Sequence, residues 1–173
     1  MKKIYFLTAF LLFLTNFAFA NPLEFKTLQS DFVQTIQNNE NKIEYSGNFI
    51  STTNNALWSY KTPNLKDIYF NYEKVVIIEP DLEQAIVTNL KDVPNLMNII
   101  KDANKIDSNV YEAKFDGVKY RLNFKNDLLD EISYTDKLDN HIKIKFKNLK
   151  KDEFVDENLL TPIIPANFDF ITK

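Results

Sequence analysis

The side chains that could act as acids, bases or nucleophiles are few and poorly placed for catalysis. His141 is the single histidine of the 173-residue chain and lies between the turn at Asp139-Asn140 and a lysine-rich strand, a setting typical of a solvated turn residue. Ser59 and Ser133 lack the flanking glycines of a hydrolase nucleophile. The pattern therefore predicts neither a general base nor an activated serine.

The carboxylates and the potential metal ligands also give no indication of catalysis. Three acidic pairs occur in polar loops, where adjacent carboxylates ordinarily face water, and acid–base chemistry would need burial to separate their pKa values. Gly47 and Gly117 are the only glycines and cannot form a phosphate-binding loop, and a chain with no cysteine and one histidine cannot build a thiolate or histidine-rich metal site. We therefore expect no enzyme, no metal and no cofactor. The pairs are Asp130-Glu131, Asp152-Glu153 and Asp156-Glu157.

Residues 1–20 have the pattern of a cleavable signal peptide. Lys2 and Lys3 precede an apolar run, and Ala18-Phe19-Ala20 supplies the small residues at a cleavage site. The alternative is a membrane anchor, but the run is short for a span of about 20 residues. We predict cleavage after Ala20, which leaves residues 21–173 as a single exported domain.

The charge of that domain excludes a nucleic-acid-binding protein. The two lysines lost with the signal peptide change the net formal charge from −3 to −5. A mildly acidic chain without a basic block is a poor partner for phosphates. There is no second apolar stretch long enough to cross a bilayer. The sequence indicates a soluble periplasmic protein whose stability comes from packing alone.

The spacing of apolar residues first predicts a helix. Asn21-Pro22 is a plausible start, and Phe25, Leu28, Phe32 and Ile36 then recur at intervals of three and four. These four side chains would share one face of an amphipathic helix at the beginning of the domain.

A period of two then predicts strands joined by short turns, which favours an antiparallel meander. A second helix is predicted near Leu96 to Ile100. A sheet with one polar face must cover its apolar face, so we expect a curved sheet with the two helices over its concave side. The predicted strands contain Ile43 to Phe49, Trp58 and Tyr60, Ile68 and Phe70, Val75 to Ile78, Tyr111 to Phe115, Val118 to Phe124, Ile132 and Tyr134, and Ile142 to Phe146.

Aromatic residues are abundant, with 18 outside the predicted signal peptide. They could simply fill the core of a β-rich fold. They could also line a cavity for an apolar ligand between the sheet and its helices. Composition alone does not separate these two interpretations.

Four motifs follow one another between Leu28 and Ala85. They are Phe32-Val33-Gln34-Thr35, Gly47-Asn48-Phe49, Leu57-Trp58-Ser59-Tyr60 with Thr62-Pro63, and the run Glu79 to Ala85. In this order and spacing they resemble the motifs of the outer-membrane lipoprotein carrier family LolA, and the first is similar to the motif that ends the family's first helix. The C-terminal Ile163-Ile164-Pro165, followed by Phe168, also resembles the family's closing segment.

The resemblance implies a mainly β fold with an α lid, in which an unclosed antiparallel β-barrel is covered by helices. It implies a monomeric periplasmic chaperone that binds the acyl chains of lipoproteins. An inner-membrane ABC transporter would release these lipoproteins, and an outer-membrane acceptor, LolB-like or unknown, would receive them. LolB itself is anchored through an N-terminal cysteine, which this chain lacks. The alternatives are a carrier or sensor of another lipidic ligand, and a structural or regulatory β-domain without a ligand.

The resemblance also implies site residues. An arginine that ties the family's lid to the barrel is replaced here by Thr52 or Thr53, and the sole arginine, Arg121, lies in a different strand. We therefore expect the lid to close more weakly or through another contact. The expected lipid-binding residues are Trp58, Tyr60, Ile68, Phe70, Leu96, Met97 and Ile100.

Overall fold

The computed structural model describes residues 21–71, 73–89 and 95–172, and their strands form one twelve-stranded sheet. The predicted signal peptide lies outside the described residues. The strands are β1 (Thr27–Gln37), β2 (Lys42–Thr52), β3 (Ala56–Thr62), β4 (Lys66–Phe70), β5 (Lys74–Glu79), β6 (Gln84–Asn89), β7 (Asn104–Asp107), β8 (Val110–Phe115), β9 (Val118–Lys125), β10 (Leu128–Thr135), β11 (His141–Lys151) and β12 (Asp169–Thr172).

The sheet is curved and does not close. Its order is β12-β6-β5-β4-β3-β2-β1-β11-β10-β9-β8-β7, so β12 and β7 are the two edges. Neighbouring strands are antiparallel except for β12, which pairs with β6 in parallel. The expected unclosed antiparallel barrel is therefore confirmed. Every strand that the alternating pattern predicted is present.

The predicted N-terminal helix is wrong, because the segment is strand β1. Leu28 and Phe32 are buried as expected, but the inward positions between and beyond them hold Ser30 and Gln34, which are also buried. A spacing of four fits a helix and a strand equally well, and only the intervening position separates them. Polar residues at those inward positions concealed the period of two. The Ser30 hydroxyl is satisfied by donation to the Lys147 carbonyl at 2.8 Å.

One α-helix, α1 (Leu96–Lys101), covers the concave face within the described residues. It begins where expected, and the Asn95 side chain caps it by accepting a hydrogen bond from the Met97 amide at 2.9 Å. The segment before β1, residues 21–26, is irregular, and its Leu23 and Phe25 still pack against the core. None of the described helices is long and apolar enough to span a membrane.

The main core lies between α1 and the concave face of the sheet, and Phe32, Phe49 and Leu122 are among its most deeply buried side chains. A smaller cluster lies apart from it, where Val155 and Leu160 pack against Leu57 of β3. The chain after β11 thus packs on the sheet before it forms β12. Short 3-10 helices occur at Pro80–Leu82 and Glu157–Leu160.

Gly47 of β2 is required by a close approach of the backbone. A Cβ atom added there would lie 2.0 Å from the carbonyl oxygen of Ser59 in β3. In the register, Gly47 lies between Phe32 and Tyr60, whose ring centroids are 5.0 Å apart. Because Gly47 of β2 has no side chain, Phe32 of β1 and Tyr60 of β3 can meet across the strand that lies between them.

Candidate functional site

The aromatic residues of β3 and their neighbours form the floor of the site. Successive side chains of a strand point to opposite faces, so Trp58 and Tyr60 share the concave face. The Phe32 ring meets Trp58 edge to face, with centroids 4.9 Å apart, and Phe49 lies 4.5 Å from Trp58 on another side. On β4, Ile68 pairs directly with Trp58. These contacts hold Trp58 in one place and present its remaining surface toward α1.

The helix α1 forms the roof. Leu96, Met97, Ile99 and Ile100 are all buried, whereas Asn98 is exposed. An isolated helix of six residues has little stability of its own in water, so packing of these apolar side chains holds α1 in place.

Between floor and roof lies a cavity of about 170 Å³, here called the inner cavity. Among the described residues that line it, none has an acidic or basic side chain. The residues that line it are Gln34, Trp58, Tyr60, Ile68, Phe70, Leu96, Ile99, Tyr120, Ile132, Tyr134 and Ile144.

A second cavity of about 310 Å³, here called the outer cavity, adjoins the first and shares Gln34, Tyr60 and Ile68 with it. The outer cavity is more polar and is bordered by the exposed side chains of Leu65 and Leu82. Its remaining lining residues are Ile36, Tyr45, Asn64, Lys66, Glu79 and Asp81. The two cavities therefore border one another at these three shared residues.

Five of the seven residues expected to bind lipid line the inner cavity, namely Trp58, Tyr60, Ile68, Phe70 and Leu96. Met97 and Ile100 are buried in the same core but do not line the cavity. Ile99 lines it instead. Sequence reasoning missed Ile99 as a site residue because all four apolar residues of this short helix are buried, and spacing alone does not say which of them borders a space.

The wall opposite β3 and β4 comes from β9, β10 and β11. Tyr120, Ile132, Tyr134 and Ile144 are inward members of the alternating patterns in these strands. The alternation identified them as inward residues. It contained no signal for which of the inward residues would lie beside α1.

Tyr60 and Tyr134 of the site stay protonated at neutral pH. Burial, and then the nearby Tyr134 and Tyr45, raise the pKa of Tyr60 above its ordinary value. Burial, followed by Tyr120 and Asp136, raises the pKa of Tyr134 to about 12. The Tyr60 hydroxyl therefore remains a donor, and it donates to Gln34 Oε1 at 2.8 Å.

Thr52 and Thr53 take part in different contacts. The Thr52 hydroxyl stays within its own turn and accepts from the Asn55 amide at 3.2 Å. The Thr53 carbonyl oxygen accepts from Lys101 Nζ, at the end of α1, at 3.4 Å. The helix is thus connected to the β2–β3 turn by a cation on the helix and a backbone acceptor on the turn.

The groups first considered for chemistry have structural contacts. His141 Nδ1 lies 2.9 Å from the Thr135 hydroxyl on the exposed side of the sheet. Glu131 is paired with Lys143 at 3.5 Å, and Asp152 accepts from the Lys26 amide at 2.6 Å. Across the described ranges, no group of three or more histidine, cysteine or acidic residues could hold a metal ion.

A depression of about 550 Å³ lies near His141, and Lys42, Lys119 and Lys143 are among its lining residues. It is larger than either cavity beside α1. Most of its lining is polar or basic, so it is a poor site for hydrocarbon, which gains free energy only from apolar surroundings. The inner cavity, although smaller, is the better candidate for an apolar ligand.

Comparisons with known proteins agree with the resemblance. Residues 24–114 match the family model described as "Outer membrane lipoprotein carrier protein LolA". The outer-membrane lipoprotein carrier protein of Campylobacter jejuni is 36% identical over 171 residues, which are 99% of each chain. That of Wolinella succinogenes is 31% identical over 155 residues, 85% of this chain and 87% of the relative.

A solved structure has a similar fold. The crystal structure of a LolA superfamily protein from Nitrosomonas europaea superposes with a TM-score of 0.50 over 83% of this chain and 94% of that protein. The two sequences are 12% identical, so the likeness concerns the fold alone.

Proposed function

Because the chain belongs to the outer membrane lipoprotein carrier family LolA, we propose that it carries lipoproteins by enclosing their acyl chains beneath α1. The observation that carries this proposal is the uncharged inner cavity between α1 and the concave face of the sheet. Transfer of each acyl CH₂ from water to such a site gains about 0.8 kcal/mol. A non-enzymatic carrier needs no further chemistry, since binding and release of hydrocarbon make up its whole task.

We also propose that α1 moves when a ligand binds, and the size of the cavity supports this. Ligand pockets usually enclose roughly 300–1,000 Å³, and the inner cavity of about 170 Å³ is smaller than this range. In this proposal α1 lifts from the sheet as acyl chains enter. Met97 and Ile100 then complete the lipid-binding surface, because a lifted helix would turn its apolar side chains toward the chains below. Trp58, Tyr60, Ile68, Phe70 and Leu96 form the part that is already in place.

We further propose that the Lys101–Thr53 contact holds the lid closed. In this role Thr52 positions the turn, and Thr53 supplies the carbonyl acceptor. One exposed hydrogen bond is weaker than a multi-donor arginine contact. This agrees with the expectation of weaker closure or another contact, and it would let cargo leave without a nucleotide.

The proposal extends to location and partners. Residues 1–20 would direct export and be removed, and residues 21–173 would act in the periplasm as a single monomeric domain. The cargo would be acylated lipoproteins, released by an ABC transporter of the inner membrane and passed to an acceptor at the outer membrane, LolB-like or of another kind.

The test is a release assay. Purified 21–173 is added to spheroplasts of its own species that hold newly made lipoproteins, and the soluble fraction is probed for acylated lipoprotein in one-to-one complex with the carrier. We expect release by the unchanged protein and by Ser59→Lys, whose side chain lies on the outer face. We expect loss of release with Ile68→Lys, which places a charge in both cavities.

Circular dichroism and an unfolding curve must show that both variants are folded. If Ile68→Lys released as much lipoprotein as the protein without a substitution, the result would contradict binding in these cavities. No release by any form would contradict the carrier function.

A further inference from the structure

Gln34 is the polar residue at the point where the two cavities meet. It belongs to the Phe32-Val33-Gln34-Thr35 motif and lies on the concave face of β1. Only 9% of its surface is exposed, and it lines both cavities together with Tyr60 and Ile68. Its amide nitrogen is not among the fully buried polar atoms of the described residues that lack a partner, so this donor has contact with the open space of the cavities.

Half of the Gln34 amide is satisfied within the protein. Its Oε1 accepts from the Tyr60 hydroxyl at 2.8 Å. That bond sets the orientation of the amide and leaves the two Nε2 hydrogens as donors. Within 21–71, 73–89 and 95–172, no residue accepts a hydrogen bond from Nε2. The amide group therefore has donor capacity at the junction of the cavities for an acceptor that arrives with the ligand.

The charges beside the junction define that acceptor further. In the outer cavity, Lys66 is paired with Glu79 at 2.8 Å, and Asp81 accepts from the Leu65 amide at 3.3 Å. Among the described lining residues, one cation and two carboxylates give a net formal charge of −1. A ligand carboxylate would meet repulsion there, whereas a neutral carbonyl oxygen would not.

We propose that Gln34 Nε2 donates a hydrogen bond to the ester or amide carbonyl that joins an acyl chain to its cargo. The inference rests on the proposed function and names the ligand class of the same site: acyl chains bound through a neutral carbonyl, in preference to free fatty acids or alkyl ethers. The hydrocarbon extends beneath α1 toward Trp58 and Ile99. The polar part of the cargo lies in the outer cavity.

Three single-chain probes separate these classes: monopalmitin, which has an ester, 1-O-hexadecylglycerol, which has an ether in its place, and palmitate. Competition against a fluorescent fatty acyl probe gives each Kd for purified 21–173. A neutral hydrogen bond contributes roughly a fivefold difference in Kd. We expect the ester to bind about fivefold more tightly than the ether, and palmitate to bind more weakly than the ester.

The variant Gln34→Met keeps the size of the side chain and removes the donor, so we expect its ester-to-ether ratio to fall to about one. In Gln34→Met alone the Tyr60 hydroxyl loses its acceptor. The double variant Gln34→Met, Tyr60→Phe removes that hydroxyl as well, and we expect the same fall in its ester-to-ether ratio. Gln37→Met, in the exposed last position of the same strand, is the matched control and should keep the fivefold ratio.

Equal affinities for ester and ether in the unchanged protein would overturn the proposal without any variant. A ratio that persists in folded Gln34→Met would also overturn it, while leaving the carrier function in place. Failure of every probe to bind, together with failure of the release assay, would overturn the proposed function as well.

Discussion

The cap of α1 controls how often the proposed lid opens, and replacing it provides a quantitative test. Asn95 is buried, and its side chain accepts the Met97 amide at 2.9 Å. Replacing a capping asparagine with alanine costs about 1 kcal/mol, and this cost should fall on α1 alone. A change of 1 kcal/mol corresponds to about fivefold in an equilibrium constant. We therefore expect Asn95→Ala to raise the population of the open helix about fivefold.

The assay is native-state amide hydrogen exchange. The Ile99 and Asp102 amides donate to the Asn95 and Asn98 carbonyls, at 3.0 and 2.9 Å, so their exchange reports opening of α1. In Asn95→Ala these amides should exchange about fivefold faster, while amides of β10 and β11 keep their rates. If acyl chains enter only when α1 is open, association of an acyl probe should accelerate by a similar factor.

Asn98→Ala is the matched control, because Asn98 is an exposed residue of the same helix and alanine is the better helix former. It should leave exchange unchanged or slow it. Unchanged α1 exchange in Asn95→Ala would refute the assignment of Asn95 as the cap. Equal acceleration in the strands would show that α1 does not open separately from the sheet.

Three further predictions follow from individual contacts. Gly47→Ala should destabilise the protein by about 1–3 kcal/mol, because its Cβ would lie 2.0 Å from the Ser59 carbonyl oxygen; an unchanged urea midpoint would contradict this close approach. The pKa of Tyr134 is raised by burial from 10.0 to about 12, so the folded state favours the neutral phenol. Its contribution to stability is complete below the unfolded pKa of 10.0 and is lost as the pH rises toward about 12. Thermal unfolding across this pH range should show a Tm that decreases with pH, and the decrease should be smaller in Tyr134→Phe. Identical pH profiles for the two proteins would argue against a raised pKa of Tyr134. Lys101→Met should speed exchange of α1 amides about twofold, since it removes one exposed hydrogen bond to Thr53; no change would mean that this contact does not hold the lid.

Most of the sheet could be predicted from the sequence because inward and outward residues alternate clearly. In β11, Ile142, Ile144 and Phe146 are buried and the intervening lysines are exposed, as expected from the pattern. The turn at Asp116-Gly117 has the Asp-Gly sequence typical of a two-residue hairpin turn, and both residues have positive φ there, as such a turn requires. The helix α1 followed from its apolar cluster after a capping residue.

The failure at β1 has a physical cause that also affects function. Ser30 and Gln34 occupy inward positions where a strand pattern would require apolar residues. Ser30 is satisfied inside the protein, whereas Gln34 faces the cavities. Polar residues at these buried positions hid the alternating pattern of a strand. One of them, Gln34, is also the residue that we propose recognises the ligand.

The cavity residues were only partly predictable for a different reason. Resemblance to a family identified the strands β3 and β4, and five of the seven expected residues line the inner cavity. The contribution of β9 to β11 depends on where α1 lies over the sheet, which is a property of the tertiary packing. The contact between Lys101 and the turn was also not predictable, because its acceptor is the backbone carbonyl of Thr53. Every residue has such a carbonyl, so the side chain at position 53 does not indicate the contact.

The central claim, that acyl chains lie between α1 and the concave face, is tested most directly by photocrosslinking. A photoreactive amino acid is placed at position 68, which borders both cavities, or at position 59, on the outer face of the adjacent strand. Each carrier is allowed to take up lipoprotein with radiolabelled acyl chains, irradiated, and digested so that label on the carrier reports contact with the acyl chains. The account predicts strong labelling at position 68 and background labelling at position 59. Equal labelling at the two positions, or labelling at position 59 alone, would contradict it.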